Sequence, residues 1–368
     1  MANGIHFRST RAEINRDALV HNAREIKTQA GDHRVLGVIK ADAYGHGLIT
    51  AAQALDSELD AFGVAFIDEA LRLREAGIIK PVVLLEGILS GEELPICAHY
   101  NLQPVIHQQS QLDALLTARL VRPVAVWLKV DTGLHRLGWP PEQVKSVYQQ
   151  LRQCPNVGAI TLMSHYANSG DHGHPLTQAQ QKLFEDICAM TEITVNVSMA
   201  NSAALLTTAV ELSSMNGEWM RTGITIYGLP PSEDFASQLS IQPVMRLIAP
   251  VIALRTIPAG ESVGYGSTWT ATRESRIATI AIGYGDGYPR HCKNGTPVFI
   301  NGQRAPLAGT VSMDMITVDV TDLDKVEEGD EVELWGPNLS VNEIAKWADT
   351  IGYELLTRVS PRVPRVAV

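Results

Sequence analysis

Short apolar runs bounded by turn residues recur at even spacing through the first two thirds of the chain: VLGVIK from Val35, AFGVAF from Ala61, PVVLLEG from Pro81 and LQPVIH from Leu102. VAVWLKVD from Val124, AITLMSHY from Ala159, VNVSMANS from Val195 and RTGITIYG from Arg221 come next, and none of the eight shows a polar face at a period of two. Strands apolar on both sides belong to parallel sheets covered by helices. Helix-like stretches separate them: DEALRLREAG, SQLDALLTARL, PPEQVKSVYQQLRQC and PLTQAQQKLFEDICAM, with NRDALVHNAREIKTQAG ahead of the first run. Ser110 and the pair Pro140, Pro141 read as helix starts. Eight alternations predict a (β/α)8 barrel, with a doubly wound open sheet of five or six strands as the alternative.

The texture changes near Gln242. VMRLIAPVIALRTI, RIATIAIG, TPVFINGQ, MITVDV and DEVELWG alternate and are punctuated by Gly, Asn, Asp and Pro, and only SVNEIAKWADTIG looks helical. The expected organisation is therefore a barrel over residues 12–241 and a mostly antiparallel β domain over 242–368, with residues 1–11 packing on the latter. At 368 residues the chain has material for both. A net charge of -10 argues against a nucleic-acid backbone or an anionic membrane as partner. The four cysteines are scattered and form neither a zinc pattern nor a disulfide framework. The first seventeen residues hold four arginine or aspartate charges, and nowhere do about 18 apolar residues run together, so a soluble cytoplasmic protein is expected.

In such a barrel, chemistry sits at the carboxyl ends of the strands. There stand Lys40 on the first, Lys129 and Asp131 with Arg136 close behind on the fifth, His165 on the sixth, Asn201 and Ser202 on the seventh, and Arg221 at the start of the eighth. Cationic and donor groups dominate this rim, which suits an anionic ligand. A phosphorylated cofactor near Ser202, Gly223 and Ile224 has a physical basis, because glycine admits close backbone approach and a serine hydroxyl donates. The competing readings are that Ser202 caps a helix and that Lys40 is a solvated lysine at a strand end.

VIKADAYGHG, LKVDTGLHRLG, MSHYANSGD, ANSAA, RTGITIYG, VGYGSTW, AIGYGDGYPR, SMDMITVDV and YELLTRVSPRVPR resemble, in order, motifs of the alanine racemases, and together they span nearly the whole chain. The resemblance implies a pyridoxal 5'-phosphate (PLP) isomerase of alanine, a fold-type III enzyme, in which Lys40 carries the cofactor. Arg221 would face the pyridine nitrogen; a guanidinium keeps its proton, which makes the ring a weaker electron sink. Racemisation needs a proton removed from one face of a carbon and delivered to the other, so a second base is required. Tyr265 matches it, and in the family it enters from the other subunit of a homodimer.

Further implied are His165 against the cofactor ring and Tyr44, Ser202, Gly223, Ile224 and Tyr353 around the phosphate. Arg136 and the backbone of Met313 would hold the substrate carboxylate. Lys129, carbamylated in some members, and Asp314 would support them, while Asp171, Tyr284, Arg290 and Ile351 would line the channel through which substrate enters. Thr222, Thr310 and Ser312 depart from the proline, arginine and cysteine that many members carry. The rivals are a barrel-type decarboxylase of basic amino acids, a PLP-homeostasis protein, which is essentially a barrel alone, and an exported broad-specificity racemase.

Overall fold

The computed structural model describes residues 8–171, 173–191, 196–207, 218–231 and 239–368. These form two compact units: residues 19–43 with 48–241, and residues 1–18 with 44–47 and 242–368. After β1 (Arg11–Ile14) and α1 (Arg16–Ala30), eight strands come in order: β2 (Arg34–Val38), β3 (Ala61–Val64), β4 (Val82–Leu84), β5 (Leu102–Ile106), β6 (Val124–Lys129), β7 (Val157–Met163), β8 (Val197–Ser198) and β9 (Trp219–Thr222). Sequential neighbours from β2 to β8 pair in parallel, and β9 returns to pair in parallel with β2. The remaining gap, between β8 and β9, is bridged: Arg221 N–H donates to the Ala200 carbonyl at 3.0 Å and the Ser198 hydroxyl to the Trp219 carbonyl at 2.6 Å. This is a TIM-like barrel rather than the open sheet.

The closure of these runs into a barrel has its reason in their burial. Every residue of β3, β4 and β9 is buried, as are four of five in β2, so each strand needs cover on both faces. Helices α2 (Leu48–Leu55), α3 (Ile67–Glu75), α4 (Glu93–Tyr100), α5 (Gln109–Thr117), α6 (Pro141–Gln153), α7 (Pro175–Thr191) and α8 (Ser202–Thr207) alternate with the strands. Pro140 and Pro141 do open α6, one as its cap and one as its first residue. Ser110 does not start α5: it lies inside that helix, whose flanking residue Gln108 makes no side-chain cap. Two boundaries also move. β2 stops at Val38, two residues short of Lys40, and Arg221 is the third residue of β9 rather than its first. The run read from Val195 begins outside the described residues.

In the other unit the 13-residue β10 (Met245–Ile257) is the spine. Next come the hairpin β11 (Ser262–Val263) and β12 (Trp269–Thr270), then β13 (Ser275–Ile280), β14 (Pro297–Ile300), β15 (Gln303–Pro306), β16 (Ile316–Asp319), β17 (Glu331–Trp335) and β18 (Arg365–Ala367). β10 pairs antiparallel with β1, β13 and β17, and among the described residues the one parallel pairing of this unit is β1 with β18. Of residues 1–11, those up to 7 lie outside the described set; Arg8 binds Asp286 and Arg11 opens β1, both within this unit. The stretch SVNEIAKWADTIG supplies α9 (Val341–Trp347), capped by the Ser340 hydroxyl, and a second helix, α10 (Gly352–Arg358), was not anticipated. Among the described residues no helix is long and apolar enough to cross a membrane.

Candidate active site

On the barrel rim, Lys40 stands just past β2, and its Nζ lies 3.1 Å from Glu86 Oε1, just past β4. Directly after Lys40 the backbone makes a left-handed turn: Ala41, Asp42, Ala43 and Tyr44 all have φ between 52 and 55°. Such geometry costs an L-residue about 1–2 kcal/mol, so something must hold it. In the barrel unit that is Glu69, one carboxylate oxygen of which accepts from Ala41 N–H at 2.7 Å and Asp42 N–H at 3.5 Å, the other from Ala65 N–H at 2.8 Å. Asp42 in turn accepts from Leu48 N–H at 3.0 Å.

Arg221 is 5% exposed and held by several hydrogen bonds. Its Nη2 donates to the carbonyls of Ser164 (2.6 Å) and Met199 (3.2 Å) and to His165 Nδ1 (3.0 Å), and its Nη1 donates to the Ser198 hydroxyl. A guanidinium only donates, so His165 accepts at Nδ1 and its proton sits on Nε2. Burial, reinforced by Arg221, Lys129, Arg136 and Lys40, pushes the His165 pKa well down and keeps the ring neutral.

Arg136 is exposed at the apex of a loop folded by Asp131, whose carboxylate accepts from Gly133 N–H (3.0 Å), His135 N–H (3.0 Å) and the His135 ring (2.9 Å). Asp131 itself is thus a loop organiser. Asp171 is exposed in the loop after β7. The cap of α8 is Asn201, which accepts from Ala203 N–H (3.1 Å) and Ala204 N–H (2.9 Å). That leaves the Ser202 hydroxyl to face the β9 turn, where it accepts from Gly223 N–H at 2.9 Å, beside Ile224 at the start of a short 3-10 helix.

Lys129 ends β6 and is 6% exposed. Burial first, then Arg221 and Arg136, lower its pKa from 10.5 to about 8. Between those values the unfolded chain binds more protons than the folded one, so stability rises with pH across the window, by on the order of 3 kcal/mol in full. Lys129→Met should therefore unfold at a higher temperature than wild type at neutral pH and lose that slope in thermal melts between pH 8 and 10.5. Equal melting at neutral pH would contradict the assignment of a strained buried cation.

In the other unit, Tyr44 and Tyr353 approach with ring centroids 6.0 Å apart. Burial raises the Tyr44 pKa to about 12 and that of Tyr353 higher still, so both phenols stay protonated donors. The pair depends on Gly45: at φ +83° a side chain would be strained, and its Cβ would lie 2.1 Å from the Leu356 carbonyl of α10. Tyr265 sits on the tip between β11 and β12, 74% exposed, its carbonyl accepting from the Thr310 hydroxyl at 3.0 Å. The departure at Thr310 thus becomes a tether on the Tyr265 backbone.

Met313 and Asp314 are exposed and braced by the turn Tyr284–Asp286, since Gly285 N–H donates to the Met313 carbonyl at 2.8 Å. Arg362 bridges Asp286 (3.0 Å) and Asp314 (2.7 Å). Tyr284 and Arg290 line a cleft of about 480 Å³ together with Tyr288, His291 and Glu354, and exposed Ile351 precedes α10.

The candidate residues thus fall into two groups, each assembled within one unit. Sequence reasoning missed Glu86, Glu69, Glu218 and Asp286. Glu86 carried a signal, as the acidic residue closing PVVLLEG, a run whose end was passed over. Glu218 carried none: it is fully buried, accepts from Met199 N–H (3.3 Å) and Ala200 N–H (3.4 Å) behind Arg221, and is raised by burial to about 7.

Two family models match the chain almost end to end: the alanine racemase N-terminal domain over residues 14–231 and the alanine racemase C-terminal domain over residues 244–367. The chain belongs to the alanine racemase family. Its relatives in that family include the alanine racemase of Pseudoalteromonas atlantica, 48% identical over 96% of this chain and 94% of that protein. The alanine racemase of Vibrio cholerae is also 48% identical, over 97% of this chain and 98% of that protein. Among solved structures, the biosynthetic alanine racemase of Pseudomonas aeruginosa superposes with a TM-score of 0.93 at 42% identity, covering 98% of this chain and all of that one. The alanine racemase of Bacillus anthracis with bound L-Ala-P gives 0.87 at 29% identity, over 99% and 96% of the two chains. Family membership and the racemase fold are thereby established for this chain.

Proposed function

We propose that the chain is a cytoplasmic PLP-dependent alanine racemase that interconverts L- and D-alanine by two bases, supplying D-alanine for peptidoglycan precursors or serving alanine catabolism. The observation that carries the reading is the buried Arg221 donating to a neutral His165, set among Lys40, Lys129 and Arg136. This constellation of fixed donors and positive charge suits an anionic aromatic cofactor.

The residues fit the cofactor by the chemistry of their donors. Ser202, with Gly223 N–H against it and Ile224 beside it, and the protonated phenols of Tyr44 and Tyr353 suit a phosphate. Arg221 and His165 would hold the ring, and Lys40 the carbonyl end. Bound there, PLP supplies a place for the electron pair left when the α-proton of the amino acid departs.

The chain's own residues do the rest. Lys40 takes or returns that proton on one face, and Tyr265, contributed by a second copy in a homodimer, does so on the other. Exposure of Tyr265 on its own unit supports a role completed by another chain. Arg136 and the Met313 N–H hold the substrate carboxylate, Lys129, carbamylated in some family members, positions Arg136, and Asp314 braces Met313. Asp171, Tyr284, Arg290 and Ile351 line the way in. In this reading residues 12–241 supply the cofactor contacts other than Tyr353, and residues 242–368 supply Tyr353 and deliver the second base.

The deciding measurement is racemisation of alanine, serine and arginine by the purified protein. Alanine should turn over fastest, with serine discriminated by the roughly 1–3 kcal/mol that one added group is worth in a tight pocket. Decarboxylation of a basic amino acid, or arginine turning over as well as alanine, would overturn the reading.

A further inference from the structure

Among the described residues Glu86 is the acidic group that pairs with Lys40, with Oε1 3.1 Å from Nζ. Its main chain has little freedom. Glu86 N–H donates to the Ala65 carbonyl (3.4 Å) and Gly87 N–H to the Leu84 carbonyl (3.0 Å). The Glu86 carbonyl lies 3.1 Å from Nε2 of His107, whose pKa burial lowers. Gly87, at φ +76°, is clamped: a Cβ there would lie 2.4 Å from the Val105 carbonyl and 2.5 Å from Gln111 Nε2. These contacts fix the Glu86 backbone at the β4 end, from which its carboxylate meets Lys40. The charged and titratable groups facing Glu86 are Lys40 from the end of β2, Lys129 from β6 and His107 from the end of β5.

We propose that Glu86 is the proton partner of the Lys40 amine, taking a proton from Nζ when the amine must act as a nucleophile and returning it when the amine is released. The inference rests on the reading that Lys40 carries PLP. In the transfer an Nζ–H bond breaks and an Oε1–H bond forms, so ammonium and carboxylate become amine and carboxylic acid, with no other reactant. The observed separation is within reach of direct proton transfer. The same exchange serves the substrate: the incoming amino acid also arrives as an ammonium and must shed a proton where Lys40 gains one. Glu86 is thus a further catalytic residue of the site, in contact with the reacting nitrogen.

The test monitors PLP uptake by the cofactor-free full-length chain, read as the rise in absorbance of bound cofactor, for wild type, Glu86→Gln and Glu86→Asp across pH. Glu86→Gln should take up PLP about 10²-fold more slowly near neutral pH. The gap should narrow in strongly alkaline solution, where hydroxide competes with the carboxylate as acceptor of the amine proton. Glu86→Asp, which keeps the carboxylate, should recover most of the rate. Identical wild-type and Gln rates at every pH overturn the proposal. Equal slowing of both variants at every pH also overturns it, because that is the loss of a brace and not of a base. Glu86→Ala guards against a Gln variant that fails to fold: added formate should restore its uptake in proportion to concentration, and no recovery counts against the proposal. A wild-type chain that takes up no PLP would instead overturn the cofactor reading beneath it.

Discussion

Lys40→Ala should lower alanine racemisation by at least about 10⁴-fold, since in the proposed mechanism one residue both anchors the cofactor and supplies one of two bases. The variant should also fail to acquire the visible absorbance of covalently bound PLP, and borohydride treatment of wild type should fix the cofactor on this residue. Lys40 is half-buried beyond the end of β2, outside the packed core of the barrel, so the substitution should leave thermal unfolding nearly unchanged. Lys40→Arg sharpens the test. It keeps a positive charge for Glu86 to pair with, yet a guanidinium does not give up its proton at working pH, so this variant should be as inactive as alanine. A Lys40→Ala protein with wild-type absorbance of bound cofactor would remove the lysine from its role.

Tyr265→Phe should cost about 10²–10⁴-fold in turnover, the usual worth of a positioned acid or base. Only the hydroxyl is lost, from a side chain that is 74% exposed on its own unit, so no packing is disturbed. The diagnostic is asymmetry. In single-turnover exchange of the α-proton, one enantiomer of alanine should lose nearly all of its exchange and the other should keep it, because Lys40 still serves its own face. Equal loss for both enantiomers would mean that Tyr265 shapes the site without carrying a proton.

The barrel was legible because its signal is global: eight runs without a polar face have few other ways to be covered, and every one in the described residues became a strand. The rim came with it, since strand ends can be named from the runs. What escaped depends on neighbours distant in sequence. Glu86 and Lys40 are brought together only by the pairing of β2, β3 and β4, which lays one strand end beside the next. Helix α10 spans seven residues, under two full turns, too short for a 3.6-residue period to emerge from YELLTR. Ser202 was ambiguous because serine caps helices well; it was the adjacent Asn201 that took the cap and freed the hydroxyl. Tyr265 on an exposed hairpin tip carries no local signal at all, and its role came from family resemblance.

The left-handed turn after Lys40 also dictates an order of events in the life of the chain. Four consecutive residues in that conformation cost roughly 4–8 kcal/mol, comparable to the whole stability of a typical domain. A nascent segment emerging through residue 47 has nothing to oppose that cost and would relax to ordinary backbone. Glu69 arrives early and secures Ala41 and Asp42, but the far end waits for the Leu356 carbonyl against Gly45 and for Arg365, which donates to the Gly45 carbonyl at 2.9 Å. The Tyr44 end of the turn is therefore held only once the segment carrying Leu356 and Arg365 has packed against Gly45.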